Sequence, residues 1–100
     1  MTDYFLVKRV PGPEWDHSRL RRSQEGWDEH AAFMDKLVER GLIVLGGPVG
    51  EGDGDYALQV FDAESAEAVL ACLADDPWED AILRTESVEP WSIWLQRAPG

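Results

Sequence analysis

The apolar pattern of this chain changes period in a fixed order: strand, helix, strand, strand, helix, strand. That order restricts the fold more than any other feature. "DYFLVKRV" (3–10) is rich in aromatic and β-branched residues and stops at "PGP" (11–13), which predicts a first strand closed by a breaker. "EWDHSRLRR" (14–22) carries no readable period. From 23 to 40 the spacing is helical, with Trp27, Met34, Leu37 and Val38 inward and Glu29, Lys36 and Glu39 outward, and Gly41 supplies the stop. "LIVLGGPV" (42–49) is apolar without alternation, so it predicts a strand that is buried on both faces or covered by a partner. "GEGDGD" (50–55) is a loop, and "YALQVFD" (56–62) predicts a third strand. Asp62 is placed to cap a second helix over 63–74, with Ala66, Val69, Leu70 and Leu73 on one face. "DDPWED" (75–80) breaks it, because Pro77 cannot continue a helix interior. A long fourth strand follows over 83–96, and Pro90 within it demands a sheet edge or a bulge.

With short connections and right-handed crossovers, β-α-β-β-α-β gives an α+β, ferredoxin-like domain with an antiparallel sheet and both helices on one face. One hundred residues suit a single domain spanning 1–100, without repeats or low-complexity segments. The other sheet face must find cover. Trp91, Ile93 and Leu95 share one side of the last strand, Val88 and Trp94 the other. We expect a homodimer packed sheet to sheet, which would also help a small core.

The net charge of −11 argues against nucleic acid and against an anionic membrane surface as partners. A single cysteine, Cys72, rules out an intrachain disulfide, and no signal peptide or spanning segment is visible, so a reducing, cytoplasmic location is expected. Cys72 beside Leu73 suits a small buried hydrophobe. Two histidines without a second thiol make no structural metal site; His17, His30 and an aspartate carry no metal motif, and no cofactor signature is present.

One titratable ring stands out. His30 precedes Phe33, Met34 and Leu37 at helical spacing, so its imidazole points the way the apolar stripe points. Either it is a core histidine bonded to a backbone carbonyl, or it faces a cavity and exchanges a proton there. Arg19, Arg21 and Arg22 reverse the local charge, as a solvated stretch or as a reach toward an anionic ligand group; Arg84 follows the same logic. The five tryptophans suit core and interface packing, or the walls of a pocket for a flat ring. We assign ligand binding to Arg22, Arg84, Trp27 and Trp78.

A histidine in the first helix, "GLIVLGGP" after it, a second helix ending in "DDPW" and a final "VEPW" strand occur here in order. Together they resemble the YCII-related (YciI-like) domain family over nearly the whole chain. The resemblance implies a dimeric α+β barrel and a His–Asp pair, which falls on His30 and Asp76, the residue directly before Pro77. The residues alone leave Asp75 open beside it. The resemblance further implies a cofactor-independent lyase, dehydrochlorinase-like, or an isomerase, with a small cyclic oxygenated molecule as ligand. A non-catalytic binding or assembly module of the same fold is the alternative.

Overall fold

A computed structural model describes residues 2–98 of the chain. Its elements are β1 (Thr2–Pro11), a 3-10 turn (Arg21–Ser23), α1 (Trp27–Glu39), β2 (Ile43–Val49), β3 (Tyr56–Phe61), α2 (Ala66–Leu73) and β4 (Leu83–Ile93). The strands form one sheet in the order β2-β3-β1-β4 with every pairing antiparallel. This is the α+β, ferredoxin-like arrangement expected from the sequence.

Local chemistry explains where the elements begin and end. α1 starts at Trp27 and not at 23, because Gly26 adopts a left-handed conformation (φ 77°) at its N-cap and separates it from the 3-10 turn. At its other end Gly41 (φ 76°) permits a paired closure: Leu42 N–H donates to the Leu37 carbonyl at 2.9 Å and Gly41 N–H to that of Val38 at 3.0 Å. α2 is capped by Ser65, whose hydroxyl accepts from Ala68 N–H at 3.1 Å, and not by Asp62. β4 is an edge strand, as Pro90 requires, and it ends at Ile93, short of the expected 96.

The core lies between the sheet and the two helices, where Val7, Leu37, Ile43, Phe61, Val69 and Leu73 are buried. Val38 and Leu70, expected inward, lie at the margins of their stripes and are exposed. A second buried cluster, Trp78, Ile82 and Leu83, packs with Trp15 and Trp27 beyond the end of α2. Strand β2 forms the other sheet edge, and Val44 and Leu45 are exposed in the single chain, so of the two expectations, burial on both faces or cover by a partner, the first does not hold. On the sheet face away from the helices, Tyr4, Leu45, Val60, Trp91 and Ile93 line an apolar hollow of about 410 Å³.

Candidate active site

The site is built where β1, α1 and the turn after α2 meet. In that turn Asp76 N–H donates to the Leu73 carbonyl, and Glu79 N–H donates to the Asp76 carbonyl, both at 3.0 Å. The Asp76 carboxylate accepts from Trp78 N–H at 3.0 Å, closing the short side-chain turn that Asp before Pro favours. The carboxylate is thereby aimed inward, and its side chain is fully buried. Asp75 next to it is exposed.

Asp76 gathers two further donors. The His30 Nδ1 sits 2.9 Å from Oδ1 and 3.0 Å from Oδ2. Arg9 Nη1 donates to Oδ2 at 2.8 Å. Arg9 belongs to the inward set Phe5, Val7, Arg9 of β1 and is fully buried. At that point the β1–β4 register shifts between Lys8 and Arg9, so that Lys8 pairs with Ser87 and Arg9 with Thr85. The shift leaves Glu86 outside to meet Lys8 at 3.0 Å. Arg9 Nη2 lies 3.6 Å from Glu79, whose carboxylate accepts from the Thr85 hydroxyl at 2.7 Å and the Thr85 N–H at 3.1 Å. A continuous chain thus runs from the half-buried Thr85 and Glu79 to the buried Arg9, Asp76 and His30.

Burial by itself would raise the pKa of Asp76 by disfavouring its charged form. The hydrogen bonds from His30 and Trp78, with the charges of His30 and Arg9, outweigh it and hold the carboxyl below its ordinary value. An ionised carboxylate only accepts, so the neutral His30 ring carries its proton on Nδ1 and leaves the Nε2 lone pair available.

The ring's plane is set from behind. Trp78 stacks on His30 with centroids 4.1 Å apart and planes 8° from parallel. Trp78 is itself anchored, since its Nε1–H donates to the Glu25 carbonyl at 2.7 Å and its ring packs against Trp15 in a T-shaped contact and against Trp27 in a tilted one. In front of the ring lies a cleft of about 450 Å³, walled by Trp27, His30, Met34, Gln59, Leu83 and the glycine-rich strand Gly46–Gly47–Pro48. The cleft joins a lone pair on a positioned imidazole to a partly apolar hollow, an arrangement that can take a proton from a bound acid and return it.

Of the residues assigned from the sequence, the structure brings His30, Asp76 and Trp78 into contact and sets Trp27 in the same cleft. Trp78 backs the imidazole at 1% exposure and is not part of the cleft wall. Arg22 and Arg84 are exposed and lie outside the cleft; the neighbour of Arg22 in the 3-10 turn, Arg21, is buried and lines it. Arg9 escaped the sequence reading although its signal was present, as an arginine in register with Phe5 and Val7 on the core side of a strand. Gln59 escaped it for the same reason on β3. Among the described residues no group of three or more His, Cys, Asp and Glu side chains is arranged to hold a metal, and His17 is exposed.

A family model described as the YCII-related domain matches residues 5–92. No curated protein matches the sequence. Among solved structures, the chain is similar to the 5-chloro-2-hydroxyhydroquinone dehydrochlorinase of Burkholderia phenoliruptrix AC1100 in complex with 2,5-dihydroxybenzoquinone. The two are 23% identical over 94% of this chain and 95% of that one, with a TM-score of 0.55, a likeness of fold.

Proposed function

The chain belongs to the YCII-related domain family, and on that premise we propose that it is a cofactor-independent lyase or isomerase acting on a small cyclic oxygenated molecule. The observation that carries this reading is the His30–Asp76 contact at the wall of an open cleft, with Nδ1 engaged and Nε2 left for the ligand. His30 Nε2 takes a proton from an acidic O–H, or from a C–H next to a carbonyl, and becomes imidazolium. Asp76 remains ionised throughout and stabilises that cation, as does the indole face of Trp78 beneath it. Two outcomes balance. In an isomerisation the proton returns to another atom of the same molecule. In an elimination the electron pair expels a leaving group such as chloride, and the imidazolium proton passes to solvent. The fold neighbour is named for the second of these, a dehydrochlorination, which supports the class of reaction.

The working unit in this reading is a homodimer. The apolar hollow around Trp91 and Leu45 is larger than isolated exposed residues would make, and a second copy packed sheet to sheet would cover it and the β2 edge. Among the described residues no helix is long and apolar enough to cross a membrane. We place the protein in the cytoplasm on its single cysteine and acidic composition.

The test is chloride release from 5-chloro-2-hydroxyhydroquinone, alongside a panel of chlorinated and unchlorinated hydroxyquinols, by wild type and His30→Gln. Turnover that requires His30, in a variant that still melts cooperatively, supports the reading. Ligand binding without turnover in wild type across the panel favours the binding-module alternative.

A further inference from the structure

Arg21 is a buried cation with no carboxylate, among the described residues, in contact with its guanidinium. It is 8% exposed and lines the same cleft as His30. Among the described residues its guanidinium meets no carboxylate within 4.0 Å, and its Nε is buried with no hydrogen-bond partner. The carboxylate of Asp53 is engaged by the backbone N–H of Arg21, a bond that does not involve the side chain. The guanidinium rests over the Trp15 ring, its Cζ 5.0 Å from the centroid, which fixes its plane without neutralising it. Burial lowers its pKa from the ordinary value; Asp53 works against that and the nearby charge of Arg9 adds to it. The guanidinium stays protonated, since it loses its proton only far above neutrality. A charge held this way is expensive unless something pairs with it. A second unmet polar atom belongs to a residue that lines the same cleft from β3. Gln59 is buried with Oε1 unpartnered, its Nε2 donating to the Met34 sulfur at 3.2 Å.

We propose that Arg21 is the anion-recognition residue of the His30 cleft, and that the cleft's ligand is a small ring compound carrying an ionised oxygen, carboxylate or enolate. This rests on the reading of the cleft as a small-molecule site and specifies the class of molecule. The planar fork of Arg21 matches a delocalised oxyanion, and charge-assisted bonds are about twice as strong as neutral ones. Gln59 Oε1 supplies an acceptor for a hydroxyl on the same ring. Besides His30, Arg21 is the one cation among the described cleft residues, and Asp35 is the acidic residue of the same lining, so an anion is drawn to the Arg21 end and away from Asp35. That also sets the ligand's orientation relative to His30, and with it which proton is presented to Nε2.

The test is calorimetric titration with 2,5-dihydroxybenzoquinone, whose hydroxyls are acidic because their conjugate bases delocalise onto the ring carbonyls, and with its neutral dimethyl ether. Wild type, Arg21→Gln, Arg21→Lys and His30→Gln are compared. The tie from the Arg21 backbone to Asp53 survives all side-chain changes, and the lysine variant keeps the charge if the glutamine variant folds poorly. The expected result is a preference of wild type for the ionised probe of about tenfold or more, lost in Arg21→Gln and partly kept in Arg21→Lys. A preference unchanged in Arg21→Gln, or no preference in wild type, overturns the proposal. His30→Gln separates the two readings: preserved anion preference without any His30-dependent turnover would remove the enzymatic reading and leave the anion site standing.

Discussion

The imidazole of His30 lies flat on the indole of Trp78, its centroid 4.1 Å from that of the indole and the two planes 8° from parallel. The stack confines rotation of the ring, so the short contact from Nδ1 to Asp76 holds one orientation. Precision at His30 therefore depends on a residue that lies behind the cleft. Trp78→Phe keeps an aromatic face but removes the Nε1 bond to Glu25, and should lower stability by roughly 1–3 kcal/mol while sparing ligand binding. Trp78→Ala opens a cavity under the ring and should cost about 3–5 kcal/mol. Urea unfolding measures both, and a Trp78→Ala variant as stable as wild type would show that the stack carries no structural weight.

Arg9 and Asp76 should be strongly coupled. Both side chains are fully buried, so removing either partner leaves a charge without its main counterpart, and each of Arg9→Met and Asp76→Asn should cost about 3–5 kcal/mol. The double variant should lose less than the sum of the two, by about 0.5–3 kcal/mol, because the unpaired charge is gone. Additive losses in a double-mutant cycle would mean that the pair does not act as a unit.

Acid should weaken the fold through Asp76. Its folded pKa is depressed, so its contribution is present above the unfolded value of about 3.9 and is lost as pH falls through the lower folded value. Stability of wild type should fall steeply below about pH 4, and Asp76→Asn should show a flatter acid limb over the same interval. Other carboxylates shared by both proteins cancel in the difference. Parallel acid limbs, measured by urea unfolding at several pH values, would mean that Asp76 is not held ionised by its partners.

The sheet face opposite the helices should be an interface. At micromolar concentration the chain should sediment at twice its 11.2 kDa mass, and Trp91→Glu or Leu45→Lys should shift it toward the single-chain species. Wild type sedimenting only as an 11.2 kDa species would mean that this face does not pair two copies.

How much of this was legible in the sequence differs from residue to residue. His30 was readable because helical spacing ties it to Phe33, Met34 and Leu37, and spacing survives folding. The order of elements along the chain followed from the sequence of periods. Asp76 was not separable from Asp75 by local chemistry, since either can start a turn; the resemblance chose it, and the structure shows one buried and the other exposed. The alternation of β1 puts Arg9 in register with Phe5 and Val7, but a charged side chain on a core face makes sense only once its partners across the fold, Asp76 and Glu79, are known. The choice between Arg21 and Arg22 was beyond reach for a different reason. Residues 14–22 carry no period, so nothing fixed which of two adjacent side chains a 3-10 turn would point inward. The start of α1 failed similarly, because Gly26 fits a helix pattern as well as a left-handed cap.

In the proposed site Asp76 fixes the His30 tautomer with the proton on Nδ1 and the lone pair on Nε2, facing the cleft. Nitrogen-15 NMR of the histidine rings measures this directly, with His17→Gln removing the second histidine's signals and the pH set where the His30 ring is neutral. The ring should be Nδ1-protonated in wild type, with that preference weakened in Asp76→Asn and unchanged in Asp75→Asn. A neutral ring protonated on Nε2 in wild type would contradict it, because His30 could then neither donate to the Asp76 carboxylate nor accept a proton from the cleft.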